Sequence, residues 1–193
     1  MPGSRHTVHR LGESDRTAFY EHLRTLSAED RRLRFGQAIN DWALEAYIDD
    51  IDFAADAVFA VLDDDLSIAG AAHLALRRDI AELGISVAAD RRGRGVASAL
   101  FDRVVVFAQN RGRTTFFMHC LIENRQMLRI AQRAGMRVAS DATEADACLS
   151  LPAPTPLSLI DEAIADQYSL YDYGAKQLLQ VLRAGMRRTD AGP

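Results

Sequence analysis

Cysteine is nearly absent from this chain. Cys120 and Cys148 are the only two in 193 residues; both sit in apolar runs and no CxxC spacing joins them, which excludes a disulfide framework and a thiolate zinc site. The five histidines show no metal-ligand spacing, so no metal is expected. No stretch approaches the ~20 apolar residues of a membrane helix, and the N-terminal MPGSRHTVHRLGESDR lacks the apolar centre of a signal peptide. A soluble, cytoplasmic protein with no membrane partner is expected. An excess of positive charge is missing as well: 23 Lys and Arg against 27 Asp and Glu leave a net charge of −4, which disfavours a nucleic-acid binder. Any anion site must be local.

What is present is an ordinary globular composition, 48% hydrophobic and 26% charged. HTVHRL reads as a first strand. Ser14 or Asp15 can cap a helix carrying Phe19, Leu23 and Leu26, and Ser27 with Asp30 makes a capping-box-like start to the next. Asn40 can cap a third, with Trp42, Ala46 and Ile48 to Ile51 on its apolar side. From Ala57 two β-rich runs flank an acidic turn, and in IAELGISVAAD the set Leu83, Ile85, Val87 alternates with Glu82, Gly84, Ser86. A helix from about Val96, the strand TTFFMHCLI, a helix between Asn124 and Gly135, and strands near 137–140 and 147–151 complete an α/β domain of mixed sheet. The proline-rich PAPTP, 152–156, reads as a linker. Beyond it, in 157–193, Leu157, Ile160, Ile164, Tyr168, Tyr171, Ala175, Leu178 and Leu182 form one helical stripe. That stripe suits either packing on the chain's own sheet or a homodimer seam.

The stretch DRRGRGVASAL sets a glycine-rich turn between a strand and a helix. Unpaired amides and the helix dipole at such a junction attract a phosphate. Gly93 and Gly95 permit close approach, while Arg91, Arg92 and Arg94 add charge. A solvated basic turn is the plain alternative. The P-loop pattern fails, because no Lys-Ser or Lys-Thr follows the second glycine. A dinucleotide fingerprint nearly fits as Gly93-x-Gly95-x-x-Ser98, but it lacks the third glycine and the acidic ribose partner.

In another register, Arg92-Gly93-Arg94-Gly95-Val96-Ala97 matches R/Q-x-x-G-x-G/A. The segment NRQMLRIAQRAGM keeps Asn124, Gly135 and the final apolar place of N-x-x-A-x-x-L-Y-x-x-x-G-F. On these two motifs, over about residues 7 to 151, the chain resembles the GNAT superfamily of acyl-CoA-dependent N-acetyltransferases. The resemblance implies a mixed, mostly antiparallel sheet flanked by helices in 1–151, with a C-terminal helical extension. It further implies that the backbone of Arg92, Gly93, Arg94, Gly95, Val96 and Ala97 holds the pyrophosphate of coenzyme A. The strand around Ile85 to Ala88 should part from its neighbour, with Val87 and Ala88 meeting the pantetheine arm through their main chain. Asn124 would face the same arm, besides serving as a helix N-cap.

The co-substrate implied is acetyl-CoA, and the acceptor a small-molecule amine or a protein lysine. Direct attack needs a neutral amine, hence a base. Glu82 occupies the place of a catalytic glutamate in the bacterial protein-lysine acetyltransferase branch, which LSAEDRRLRFG also resembles; an exposed strand carboxylate is the plain reading of Glu82. Where many members carry an acid tyrosine, this sequence has Ala131. His119, Cys120, Tyr168, Tyr171 and Tyr173 are the substitutes to weigh. A non-catalytic acyl-CoA sensor on the same fold is the rival function, and Arg31, Arg32 and Arg34 read most simply as a solvated face.

Overall fold

Alternation along the strands builds two cores, one on each face of a single sheet. In β2 (Ala57–Leu62) every residue is buried: Phe59 and Val61 join one core, while Val58, Ala60 and Leu62 join the other. Side chains of successive strand residues point to opposite faces, so a fully apolar strand must lie between two covered faces. The computed structural model describes residues 6–189, with side chains through 184; residues 1–5 and 190–193, which fall in the ends of the expected domain ranges, lie outside it.

The sheet has seven strands in the order β1-β2-β3-β4-β5-β7-β6. The others are β1 (Val8–Leu11), β3 (Ile68–Arg77), β4 (Ile80–Val87), β5 (Thr115–Leu121), β6 (Arg137–Ser140) and β7 (Glu144–Ser150). Every neighbouring pair is antiparallel except β4 with β5. Parallel neighbours need a crossover, supplied by α4 (Val96–Asn110), whose Val96, Leu100, Val104 and Phe107 are buried. α5 (Arg125–Arg133) contributes Met127, Ile130 and Ala131 to the same core. Against the other face lie α1 (Arg16–Arg24) and α3 (Asp41–Asp49), with Phe19, Leu23, Leu44 and Ile48. Between them, α2 (Ala28–Phe35) is capped by Ser27, whose Oγ accepts from Asp30 N–H at 3.1 Å. Trp42 departs from the sequence expectation: it is 76% exposed, and Leu44 takes the inward place. In helical phase Leu44 and Ile48 stand one turn apart, while Trp42 falls on the flank.

The expected C-terminal extension is one helix, α6 (Pro156–Thr189). The helix docks on α4 and β1 through polar groups: Asp166 with Arg103 at 2.5 Å, Glu162 with Arg111 at 3.1 Å, and Asp172 with His9 at 2.9 Å. Lys176 donates to Leu62 O at 2.8 Å. The apolar stripe points away, with Leu157, Ile160, Ile164, Tyr168, Tyr171, Leu178 and Leu182 between 49% and 70% exposed. The stripe does not pack on the chain's own sheet. No described helix is long and apolar enough to cross a membrane, and among the described residues no cluster of three His, Cys, Asp or Glu side chains could hold a metal.

Candidate active site

β4 and β5 are joined by only three residue pairs, Ile80–Thr115, Ala81–Phe116 and Glu82–Phe117. Beyond Glu82 they part. β4 stays paired to β3 as far as Val87–Gly70, and β5 stays paired to β7 as far as Leu121–Glu144. The edge of β4 from Leu83 to Val87 that faces β5 therefore has no strand partner, in the middle of a sheet. Such an edge is a ready template for an extended hydrogen-bonding chain.

The parting runs into a cleft of about 690 Å³ at the start of α4. Val87, Arg92, Gly93, Gly95, Val96 and Ala97 line it from one side, and Arg129 and Arg133 from the other. Gly93 and Gly95 hold φ of +72° and +91°, which residues with a Cβ reach only at a cost. A Cβ on Gly93 would meet nothing within 4 Å, so the turn leaves its backbone open. The first α4 hydrogen bond is Ala99 N–H to Gly95 O at 3.0 Å, leaving the earlier helix amides without intrahelical partners. Open amides, a helix N-terminus and four arginines, Arg91, Arg92, Arg129 and Arg133, fit a diphosphate.

A second cavity of about 340 Å³ continues along β4, sharing Val87, Arg92, Ala97 and Arg129 with the first and adding Ile85, Ser86, Asn124 and Arg34. Across Arg34 lies a third, about 300 Å³, lined by Tyr47, Asp50, Asp56, His73, Glu82 and His119. Its walls are knit by hydrogen bonds. Tyr47 Oη lies 2.7 Å from His73 Nδ1, and His73 Nε2 lies 3.2 Å from Asp56 Oδ2. Burial, followed by the charge of Arg34, lowers the His73 pKa to about 4; burial likewise lowers that of His22 to about 4. Both imidazoles are neutral at pH 7. The Ser86 hydroxyl is 2.9 Å from His22 Nε2, whose Nδ1 faces Ile68 O at 3.1 Å. Ser86 is thereby tied into the core.

The family model described as Acetyltransferase (GNAT) domain matches residues 5–137. The chain belongs to the GNAT acetyltransferases. Its GNAT fold is shared with solved structures of low identity, which speak to fold alone. The GNAT domain of S. lividans PAT aligns at a TM-score of 0.63 and 19% identity, over 75% of this chain and 89% of that one. Spermidine N-acetyltransferase from Vibrio cholerae, solved with CoA and spermine, gives 0.62 and 17%, over 77% and 96%. The ribosomal-protein-S18-alanine N-acetyltransferase from Escherichia coli gives 0.60 and 16%, over 78% and 96%. No curated protein sequence matches the chain.

Within this GNAT domain the sequence-expected residues divide. Val87, Arg92, Gly93, Gly95, Val96 and Ala97 line the first cleft, and Asn124 lines the second. Asn124 also caps α5, its Oδ1 accepting from Met127 N–H at 3.2 Å. Ala88 and Arg94 line none of the three cavities. The N–H of Ala88 is committed to Ala69 O, and its carbonyl accepts from Arg91 N–H, both at 2.9 Å. Arg94 offers its carbonyl to His6 Nε2 at 2.7 Å. Arg91 is turned toward Asp63, 2.9 Å away, and Arg92 reaches Asp30 of α2 at 2.5 Å.

The expected acid substitutes fare differently. Cys120 is buried in the core, where desolvation pushes its thiol up. Among the described residues of α6 none lines any of the three cavities, so Tyr168, Tyr171 and Tyr173 do not reach over. His119 does line the polar cavity, paired to Asp146 at 2.7 Å. Ala131 is fully buried, and Tyr47 is the tyrosine that lines the polar cavity.

Three contributors escaped the sequence reading. Arg129 and Arg133 recur with Arg125 every four residues in NRQMLRIAQRAG, a one-face pattern that could have marked them. Arg34 stands in one charged run with Arg31 and Arg32. Those two do pair with surface carboxylates, Asp41 at 2.6 Å and Glu29 at 2.8 Å. Arg34 turns inward.

Proposed function

We propose that this GNAT domain transfers an acetyl group from acetyl-CoA to a primary amine by direct attack in a ternary complex, with Glu82 as the general base. The reading rests on one observation, the parting of β4 from β5, which connects the glycine-turn cleft to the polar cavity holding Glu82. Arg92, Gly93, Gly95, Val96 and Ala97 bind the diphosphate, with Arg129 and Arg133 across from them. The free edge of β4 through Val87 holds the pantetheine arm, and Asn124 borders it. Acetyl-CoA would supply the activated acyl group: the thioester C–S bond breaks as the amine nitrogen bonds the acyl carbon, and coenzyme A leaves as a thiolate that takes its proton from solvent. Glu82, at the mouth of the parting, takes the proton an ammonium must lose before its nitrogen can attack. The two free cysteines suit a cytoplasmic setting.

The melting temperature with acetyl-CoA, CoA and NAD tests this. At a hundred times Kd a ligand selective for the native state adds ~2.7 kcal/mol, or roughly 5–10 °C for a chain of this size. Such a rise is expected with both CoA compounds and not with NAD. A flat response to CoA would sink the reading. A non-catalytic acyl-CoA sensor is the second reading, favoured by Ala131 in the usual place of an acid; CoA binding without acetylation across an amine screen would establish it.

The same proposal makes the chain a homodimer through α6. Seven large apolar side chains 49–70% exposed amount to roughly 800 Å² per protomer, beyond the usual monomer patch and about what a stable interface buries on each side. Sedimentation of the wild type at micromolar concentration should give twice the 21.3 kDa chain mass. Tyr171→Glu with Leu178→Glu should give the monomer. A monomeric wild type would end the dimer proposal.

A further inference from the structure

We propose that the amine acceptor carries a carboxylate and that Arg34 recognises it. The amine end of this inference rests on the acetyl-transfer reading above; the carboxylate end rests on Arg34 itself. Arg34 lies in the last turn of α2, and its guanidinium is laid flat on β4 at Gly84. A Cβ at Gly84 would fall 2.0 Å from Arg34 Cζ, so only glycine leaves room for it. The guanidinium also sits over the rings of Phe35 and Tyr47, 4.8 and 5.8 Å from their centroids.

A hydrogen-bond chain fixes the guanidinium's aim. Its direction follows from the far end, because the Asp56 carboxylate, 4% exposed, only accepts. His73 therefore donates from Nε2 to Asp56 Oδ2 at 3.2 Å and accepts on Nδ1 from the Tyr47 hydroxyl at 2.7 Å. With its proton committed, Tyr47 Oη accepts from Arg34 Nη2 at 2.9 Å. Asp56 is itself held by Arg77 at 2.6 Å and by Leu76 N–H at 3.1 Å. Burial lowers the basicity of His73 and raises the Tyr47 pKa, so the chain keeps its protons at neutral pH. Tyr47, His73 and Asp56 are positioning residues.

The charge so placed is uncompensated. Among the described residues no carboxylate lies within ion-pair distance of Arg34, unlike Arg31 and Arg32 beside it. A half-buried guanidinium held by neutral partners is a site for an anion. Arg34 is also the residue shared by the cofactor-arm cavity and the polar cavity. Glu82 stands two residues before Gly84 on the same face of β4, ~7 Å along the strand. Cation and carboxylate on one strand face at that spacing match a small zwitterion, its amine toward Glu82 and its carboxylate toward Arg34. At about 300 Å³ the cavity is at the small end for ligand sites. A polyamine would set a second cation against Arg34.

The experiment compares L-alanine, L-glutamate and L-lysine with their carboxamides, and with spermidine, as acceptors for wild type, Arg34→Gln and Tyr47→Phe. For the wild type, at least one amino acid should exceed its amide by about thirtyfold or more in kcat/KM, mostly through KM, since a site built around a polar group rejects the analogue lacking it. Arg34→Gln should erase that preference, each preferred amino acid losing about thirtyfold more in kcat/KM than its own amide, and Tyr47→Phe should weaken it in part. Equal use of acids and amides by the wild type overturns the inference, as does a preference that survives Arg34→Gln. A uniform fall for all amines in a folded Arg34→Gln protein also overturns it, placing Arg34 on the reacting atoms instead. Should no amine be acetylated, calorimetric titration of each amino acid and its amide into the CoA-saturated protein reads the same preference. Should CoA itself not bind, the acetyl-transfer reading fails alone, and titration into the CoA-free protein still decides for or against Arg34.

Discussion

Gly95→Glu is expected to abolish CoA binding, with affinity falling about a hundredfold or more, equivalent to ~2.7 kcal/mol. Two separate effects combine in it. Gly95 holds φ of +91°, where a residue with a Cβ is strained by ~1–2 kcal/mol, and it is the N-cap of α4. The new carboxylate would also stand among the amides meant for a diphosphate, repelling it. Gly95→Ala separates the terms, since it carries the strain without the charge. Titration of CoA followed by calorimetry should rank wild type above Gly95→Ala and Gly95→Glu last. The glutamate variant should keep its fold, because a Cβ at Gly95 meets only His6 Nε2, at 4.0 Å. Wild-type affinity in the glutamate variant would remove the diphosphate from this turn.

Glu82→Gln is expected to lower kcat by about 10²–10⁴, the usual contribution of a positioned base, with KM for acetyl-CoA unchanged. The amide has the same shape and accepts no proton. Glu82 lines the polar cavity, separate from the glycine-turn cleft, so cofactor binding has no reason to change. The signature is in the pH profile: the variant should regain rate as pH rises toward the pKa of the acceptor amine, because solution then supplies the neutral nucleophile. A variant within threefold of wild type at neutral pH would leave Glu82 as an ordinary strand carboxylate.

Local signals made most of the fold legible. Ser27 and Asn40 mark helix starts through their own side chains, and each accepts the backbone amide three residues on. Gly112 and Gly135 mark helix ends, with φ of +70° and +71°. The glycine turn carries its meaning in six contiguous residues, 92–97. What could not be read was tertiary. Trp42 looks like an anchor by composition, but helical phase puts it on the flank. The stripe on α6 predicts burial, whereas ion pairs to Arg103 and Arg111 draw the polar face inward, and nothing local announces partners more than fifty residues away. Arg34 is one of three arginines in a charged run, and only the glycine three strands later, at position 84, gives it a place to lie. Ala88 fits the family pattern, yet its amide is consumed by Ala69 across the sheet.

The parting of β4 from β5 also bears on how the molecule unfolds. Three ladder pairs are the sheet's only seam between the β1–β4 block and the β5–β7–β6 block, and they close a long loop through the α4 crossover. Subglobal opening along that seam should cost less than global unfolding. In hydrogen exchange, the amides of Thr115 and Phe117, which face β4, should then be released before those of β2 and β3. A ligand whose extended arm bridges the two edges acts there as a removable eighth strand, turning two loosely coupled cooperative units into one.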